Sequence, residues 1–206
     1  MKFIFSQKER PPLLLSDNRF SQREPNHMDL CLDLETGDTR NSAAILSIGA
    51  VMFDPYSDEL GASLSVAIPP SDNDKAGRTW SGSTIQWWST QPDALAALSR
   101  LEQRSLTQAG NALLSLINRC KPVCVWAMSP SFDVAILRHY FESTGGYFPM
   151  QFGKERDVRT IKAILPASCH PARDGTHHDA VADAIWQARL VQKFFKTCFI
   201  SDGEVT

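Results

Sequence analysis

Asp29-Leu30-Cys31-Leu32-Asp33-Leu34-Glu35 is the stretch on which the fold turns. Leucines at 30, 32 and 34 alternate with Asp29, Cys31, Asp33 and Glu35. A period of two belongs to a β-strand, whose successive side chains point to opposite faces. One face is leucine; the other carries Asp33 and Glu35 together. Thr36-Gly37 ends the strand. Ala43 to Phe53 is a second apolar run rich in β-formers, stopped by Asp54-Pro55. Gly61 to Ile68 alternates again and stops at Pro69-Pro70. Three successive strands with short polar turns predict an antiparallel meander.

Beyond the meander the pattern changes. Ser71 to Ser83 reads as a polar loop. Thr84 to Trp88 and Asp93 to Leu101 look helical, and Thr107 to Arg119 places Ala109, Leu113, Leu116 and Ile117 at helical spacing. Val123-Cys124-Val125-Trp126 after Pro122 is short and wholly apolar, as a buried strand is. Phe132 to Phe141 predicts a helix stopped by Gly145-Gly146, with Ser131 as its candidate cap. Arg156 to Leu165 is ambiguous and offers a fifth strand. His178 to Lys196 is the longest helical pattern, with Val181, Ile185, Leu190, Phe194 and Phe195 forming much of an apolar stripe. The order predicts an α/β sandwich around a mixed sheet.

The 206 residues give room for one sizeable domain. Hydrophobic residues at 43% and charged residues at 21% exclude a wholly disordered chain and a coiled coil. Lys and Arg number 21 against 23 Asp and Glu, so no global basic field announces nucleic acid. An enzyme that grips phosphates through bound divalent metals needs none. Five scattered cysteines make no disulfide framework. Cys120 and Cys124 have no second pair at zinc-finger spacing and read as structural thiols. No apolar run approaches the ~20 residues of a membrane span. Lys8, Glu9 and Arg10 cut off the N-terminal apolar patch, and a reducing, cytoplasmic setting is expected. Residues 1–27 predict a loosely ordered extension, 28–200 the domain and 201–206 a tail.

Four acids in three places carry the chemistry. Asp33 and Glu35 share one strand face. On a central strand both are pushed toward protonation unless a cation compensates, and a hard divalent metal with oxygen ligands does so. On its own, the pair reads more simply as solvated acids on an edge strand. Asp133 lies in Ser129-Pro130-Ser131-Phe132-Asp133, in the first turn of a helix, where it complements the helix dipole. Strand-to-helix junctions are also where open α/β sheets place their sites. His178 and Asp183 are five residues apart. On a helix they stand about 140° and about 7.5 Å apart, so they border one cleft without touching.

Together Asp33-Leu34-Glu35, Asp133 and His178-x-Ala-x-x-Asp183 resemble the DEDDh (DnaQ-like) 3'-5' exonucleases in order and approximate spacing. The tyrosine subtype carries Tyr four residues before the last acid; here that position is Asp179, and His178 stands five before, as in the histidine subtype. Ser83-Thr84-Ile85-Gln86-Trp87-Trp88 with Gln91, and Arg156-Asp157-Val158-Arg159-Thr160-Ile161, look like small phage and prophage exonucleases related to exodeoxyribonuclease VIII. The resemblance runs from about Met28 to Lys196. Ala182 replaces an Asp commonly seen beside the last acid, a position that is not a ligand in the family.

The resemblance implies a ribonuclease H-like fold: a mixed five-stranded sheet, part antiparallel meander and part parallel, flanked by helices. It implies two divalent cations, Mg2+ with Mn2+ able to substitute, held by Asp33, Glu35, Asp133 and Asp183. It implies His178 as the base and nucleoside 5'-monophosphates as products, from a nucleic acid with a free 3' end, DNA favoured over RNA, and with homodimers known among relatives. Leu34 and Thr36 would lie beside the terminal nucleotide. Trp87 or Trp88 could stack a base, worth about 1–3 kcal/mol, although adjacent helical residues diverge by about 100° and only one can do so. Trp88 and Arg159 are the candidate contacts, with core packing and a pair to Asp157 as their respective alternatives. Three other functions share some of these features: an internally cutting ribonuclease H, an exoribonuclease of the oligoribonuclease or RNase T type, and a nucleic-acid-binding module without activity.

Overall fold

The computed structural model describes residues 28–175 and 177–199, with side chains to residue 197. The expected extension over 1–27 and tail over 201–206 lie outside the described residues. The meander forms as β1 (Asp29–Thr36), β2 (Ile45–Phe53) and β3 (Leu60–Ala67). The apolar run after Pro122 gives β4 (Val125–Ala127). The ambiguous Arg156 segment divides into a short strand, β5 (Glu155–Asp157), and a helix, α6 (Val158–Ile164). Asp157 makes the break, its carboxylate accepting the Arg159 backbone N–H at 2.8 Å as an N-cap.

The sheet order is β3-β2-β1-β4-β5. The first three strands pair antiparallel, while β1–β4 and β4–β5 are parallel. This is the α/β, ribonuclease H-like arrangement expected, and it makes β1 the central strand. The leucine face of β1 packs with Ile48, Ala50 and Met52 of β2 under α4 (Leu106–Cys120) and α5 (Asp133–Ser143). The opposite face, with Cys31 and Val51, lies under α6 and α7 (Ala180–Phe199). Asp33 and Glu35 therefore point into the sheet–α7 layer rather than into solvent.

Local signals explain the helices in part. Ser105 and Gln108 form a reciprocal capping box on α4, and Lys121 in the left-handed region ends it. Ser131 does not cap α5: its hydroxyl pairs with that of Ser129 at 2.7 Å, and the residue at the cap is Phe132. The expected polar loop over 71–83 contains a helix, α1 (Pro70–Lys75). It has no apolar stripe to betray it. What fixes it is Asn73, fully buried, whose amide accepts from Ile45 N–H at 2.8 Å and donates to Ile45 C=O at 2.9 Å. Two further helices, α2 (Gly82–Trp88) and α3 (Pro92–Arg100), follow as expected.

Cys31 and Cys124 are buried free thiols, and Cys120 is free and partly buried. No described helix is long and apolar enough to cross a membrane.

The start of α7 rests directly on β2. A Cβ at Gly49 would come 2.0 Å from the Ala180 carbonyl carbon and 2.2 Å from the Val181 nitrogen, so only glycine admits this approach. Gly49 is also the residue paired with Asp33. Gly49→Ala should cost about 1–3 kcal/mol, because backbone cannot yield as a side chain can. A denaturant midpoint within error of wild type would contradict this.

Candidate active site

The site is assembled from β1, α5 and α7. Asp33 and Glu35 stand two residues apart on one face of β1. Asp133 opens α5 and is 3% exposed. Its Oδ1 accepts the Leu34 backbone N–H at 3.0 Å, which ties α5 to β1 between the two strand acids. Asp183, 8% exposed, sits in the first turn of α7. Gln187, four residues on and so on the same helix face, donates its Nε2–H to Asp33 Oδ1 at 2.7 Å. The sequence reading passed over Gln187, although that spacing was visible.

His178 departs from its expected geometry. It is not on the helix but in the turn before it, at φ 62°. This left-handed conformation is uncommon for a residue with a side chain. Its backbone N–H donates to Asp183 Oδ2 at 3.2 Å, so the two residues touch instead of merely bordering one cleft. The turn folds back on the helix start because Asp183 reaches an otherwise unpartnered N–H. Ligand atoms of Glu35, His178 and Asp183 all lie within 4.8 Å of one another.

The electrostatics are those of crowded, desolvated acids. Burial, with Asp133 and Glu35 next, holds the Asp33 carboxyl well above its usual range, against the Gln187 hydrogen bond. Burial, then Asp133 and Asp179, pushes Glu35 up to about 8. Asp133 is pushed up to about 7 by burial, opposed by the backbone N–H groups it accepts and by the Arg159 charge. His178 is pushed down by burial, then by His177 and Arg173, so it stays neutral near pH 7.

Beside Glu35 a cleft of about 350 Å³ is lined by Leu34, Thr36, Trp87, Trp88 and Phe132 among others. Leu34 and Thr36 thus flank it. The expected stacking face at Trp88 is not available. Trp88 is 5% exposed, packs with Leu46 and Ala94, and donates its Nε1–H to Thr36 C=O at 2.8 Å. The exposed indole is Trp87, at 39%, edge-on to the His178 ring at 4.7 Å. The helix turns one tryptophan into the core and so turns its neighbour out. Arg159 is exposed on α6; Asp157 engages its backbone N–H, and its charge acts on Asp133.

Arg173 was absent from the sequence reading. It lies in the loop before α7, forms an ion pair with Asp183, and acts electrostatically on Asp33. No periodicity marks it; the only sequence signal is a cation five residues before His178.

These donors fit a hard divalent cation: carboxylate oxygens and one imidazole converge, and the raised acids lack the positive charge that would ionise them. Arg173 stands in as a cation on Asp183.

A model of the 3'-5' exoribonuclease Rv2179c-like domain matches residues 28–195. No curated protein matches the sequence. Among solved structures, S. pombe Pop2p in its Mg2+- and Mn2+-bound form is 12% identical, covering 86% of this chain and 85% of its own, with a TM-score of 0.56. The nuclease domain of 3'hExo, a DEDDh family member bound to rAMP, is 12% identical over 84% and 94%, with a TM-score of 0.58. The zinc-bound E. coli ExoI–ssDNA complex is 15% identical over 84% of this chain, with a TM-score of 0.61; the match spans 41% of that longer chain. At these identities the likeness is one of fold.

The raised acids set the pH dependence of the metal-free protein. Glu35, ordinarily 4.5 and here about 8, keeps a proton in the fold that the unfolded chain has released. Stability in EDTA should therefore fall from about pH 5 to pH 8, by up to about 1.4 kcal/mol per pH unit for one such group. Glu35→Gln should flatten part of that slope in thermal melts. A Tm that rises through the window would overturn the electrostatic account.

Proposed function

The chain belongs to the family of the 3'-5' exoribonuclease Rv2179c-like domain, and from that premise we propose that it removes nucleotides singly from the 3' end of a single strand, at the site built by Asp33, Glu35, Asp133, Asp183 and His178. That it is a 3'-5' exonuclease follows from the family. The observation that carries the site is the grouping of buried Glu35, Asp133 and Asp183 with half-buried Asp33 and with His178, beside a cleft of about 350 Å³.

The four carboxylates would hold two divalent cations, Mg2+ or Mn2+, in this reading. When bound, the cations neutralise the acids and the phosphate and make a water more acidic. The chain's own residues do the rest. Leu34 and Thr36 line the cleft that takes the terminal sugar and base, with Trp87 as the open indole face. Asp183 accepts the His178 backbone N–H, and the Trp87 indole packs at right angles to its imidazole beside the carboxylates. His178 takes a proton from the attacking water. The water oxygen bonds to phosphorus, the P–O3' bond breaks, and the 3' oxygen of the shortened strand gains a proton. The products are a nucleoside 5'-monophosphate and a new 3' hydroxyl. His177 is exposed, its ring 6.0 Å from that of His178.

RNA is the favoured substrate in this reading, because the family description names an exoribonuclease. This departs from the DNA preference drawn from sequence. DNA stays as the second reading on one specific observation, the likeness of Ser83–Trp88 and Arg156–Ile161 to phage-type exonucleases related to exodeoxyribonuclease VIII.

The test is one gel with RNA and DNA of matched sequence, labelled at the 5' end, in Mg2+, Mn2+ or EDTA. A metal-dependent ladder on RNA is expected. A ladder on DNA alone moves the substrate to the second reading, and internal cuts remove the exonuclease reading. Asp33→Ala and Asp183→Ala should abolish cleavage with the circular dichroism spectrum kept. His178→Ala should lower turnover by about 10²–10⁴ with Mn2+ binding retained; a loss under tenfold would assign the proton to another group.

A further inference from the structure

We propose that Arg173 is a further catalytic residue, the group that grips the non-bridging oxygens of the scissile phosphodiester. The proposal rests on the exonuclease reading above and deepens it.

Arg173 is placed at the reacting centre and not merely near it. Its guanidinium pairs with Asp183 through Nη1, at the acid that α7 brings to the β1 carboxylates. Its position does not depend on that ion pair alone. The guanidinium carbon lies 4.6 Å from the centroid of the Trp186 ring, a cation–π distance. Trp186 is itself fixed: it is 8% exposed, and its Nε1–H donates to the Pro171 carbonyl at 3.1 Å. One tryptophan thus anchors both the loop that carries the arginine and the arginine's flat face. Were the Asp183 carboxylate to hold a divalent cation, the guanidinium would lose that partner and keep the Trp186 ring. It then remains at the site with donors to spare, since a guanidinium has five N–H groups in a rigid fork.

The ligand follows from the chemistry. Guanidinium forks match phosphate oxygens in pairs. With the four acids offset by divalent cations, the charge left uncompensated is that of the incoming phosphodiester, and it grows as water attacks. Arg173 is the cation already fixed where that charge arrives. Its side chain is 26% exposed, so a ligand can reach it. Arg159, whose charge acts on Asp133, is exposed on α6, and among the described residues no aromatic ring is placed under its guanidinium.

Arg173→Ala, Arg173→Gln and Arg173→Lys should be compared with wild type in three measurements: Mn2+ binding by calorimetry, 5'-AMP binding at saturating Mn2+, and kcat/KM on a short oligonucleotide. The glutamine variant keeps a planar group over Trp186 should alanine fail to fold. Expected are Mn2+ affinity unchanged or tighter, 5'-AMP binding weakened about tenfold or more, and kcat/KM lowered about 10²-fold. Lysine should recover part of both losses. Unchanged 5'-AMP binding and kcat/KM in the alanine and glutamine variants would leave Arg173 a counter-ion of Asp183 and overturn the proposal. A wild type that neither binds Mn2+ nor cleaves would instead overturn the reading of the whole site, and this proposal with it.

Discussion

Four carboxylates crowded out of water at the end of one central strand are the constraint around which this molecule is arranged. Desolvation and mutual repulsion both oppose their ionisation. Burying even two such charges without compensation costs several kcal/mol. The surrounding structure answers three of the four acids separately. Asp33 receives Gln187, Asp133 receives the Leu34 backbone N–H, and Asp183 receives the His178 backbone N–H and Arg173. Those contacts reduce the strain without removing it, which is why Asp33, Glu35 and Asp133 all remain raised. A site left short of positive charge in this way is primed for cations.

The same constraint dictates how closely the layers approach. For Asp183 to reach the β1 acids, α7 must begin almost on the sheet, and Gly49 is the gap in β2 that allows it. The helix start then sets the turn before it. His178 adopts a left-handed conformation and turns its N–H to Asp183, and its ring meets Trp87. Trp88, next in sequence, is anchored through its indole N–H to the Thr36 carbonyl at the end of β1. One tryptophan therefore buttresses the strand that bears the acids, while the other faces the histidine and the open cleft. The cleft and the acid cluster are two sides of one strand end.

Much of this was legible in the residues alone. The meander and the two acids on one face of its first strand follow from a period of two, because alternation in an extended chain fixes which side chains share a face; that this strand is central is decided by the sheet order. The long last helix follows from a period of 3.6, although its start at Ala180 instead of His178 does not. Motif spacing tied Asp33, Glu35, Asp133, His178 and Asp183 to one fold and one class of chemistry. Each of these signals is local, or is a sum of local signals in a fixed order.

What tertiary structure alone decided concerns partners that no local period encodes. The six-residue α1 is held by Asn73 pairing with Ile45 across the chain, so its own sequence does not show it. Trp87 and Trp88 are equivalent in propensity, and only the position of the Leu46–Ala94 cluster decides which is buried. Arg173 sits in a loop without periodicity and is placed by Trp186, thirteen residues later on a helix. His178 continues a helical pattern in sequence, yet its backbone obeys the Asp183 carboxylate. The sequence determined most of the elements and which acids share a strand face. The meeting of side chains from distant segments depended on packing, where position is set by long-range burial and not by the residues on either side.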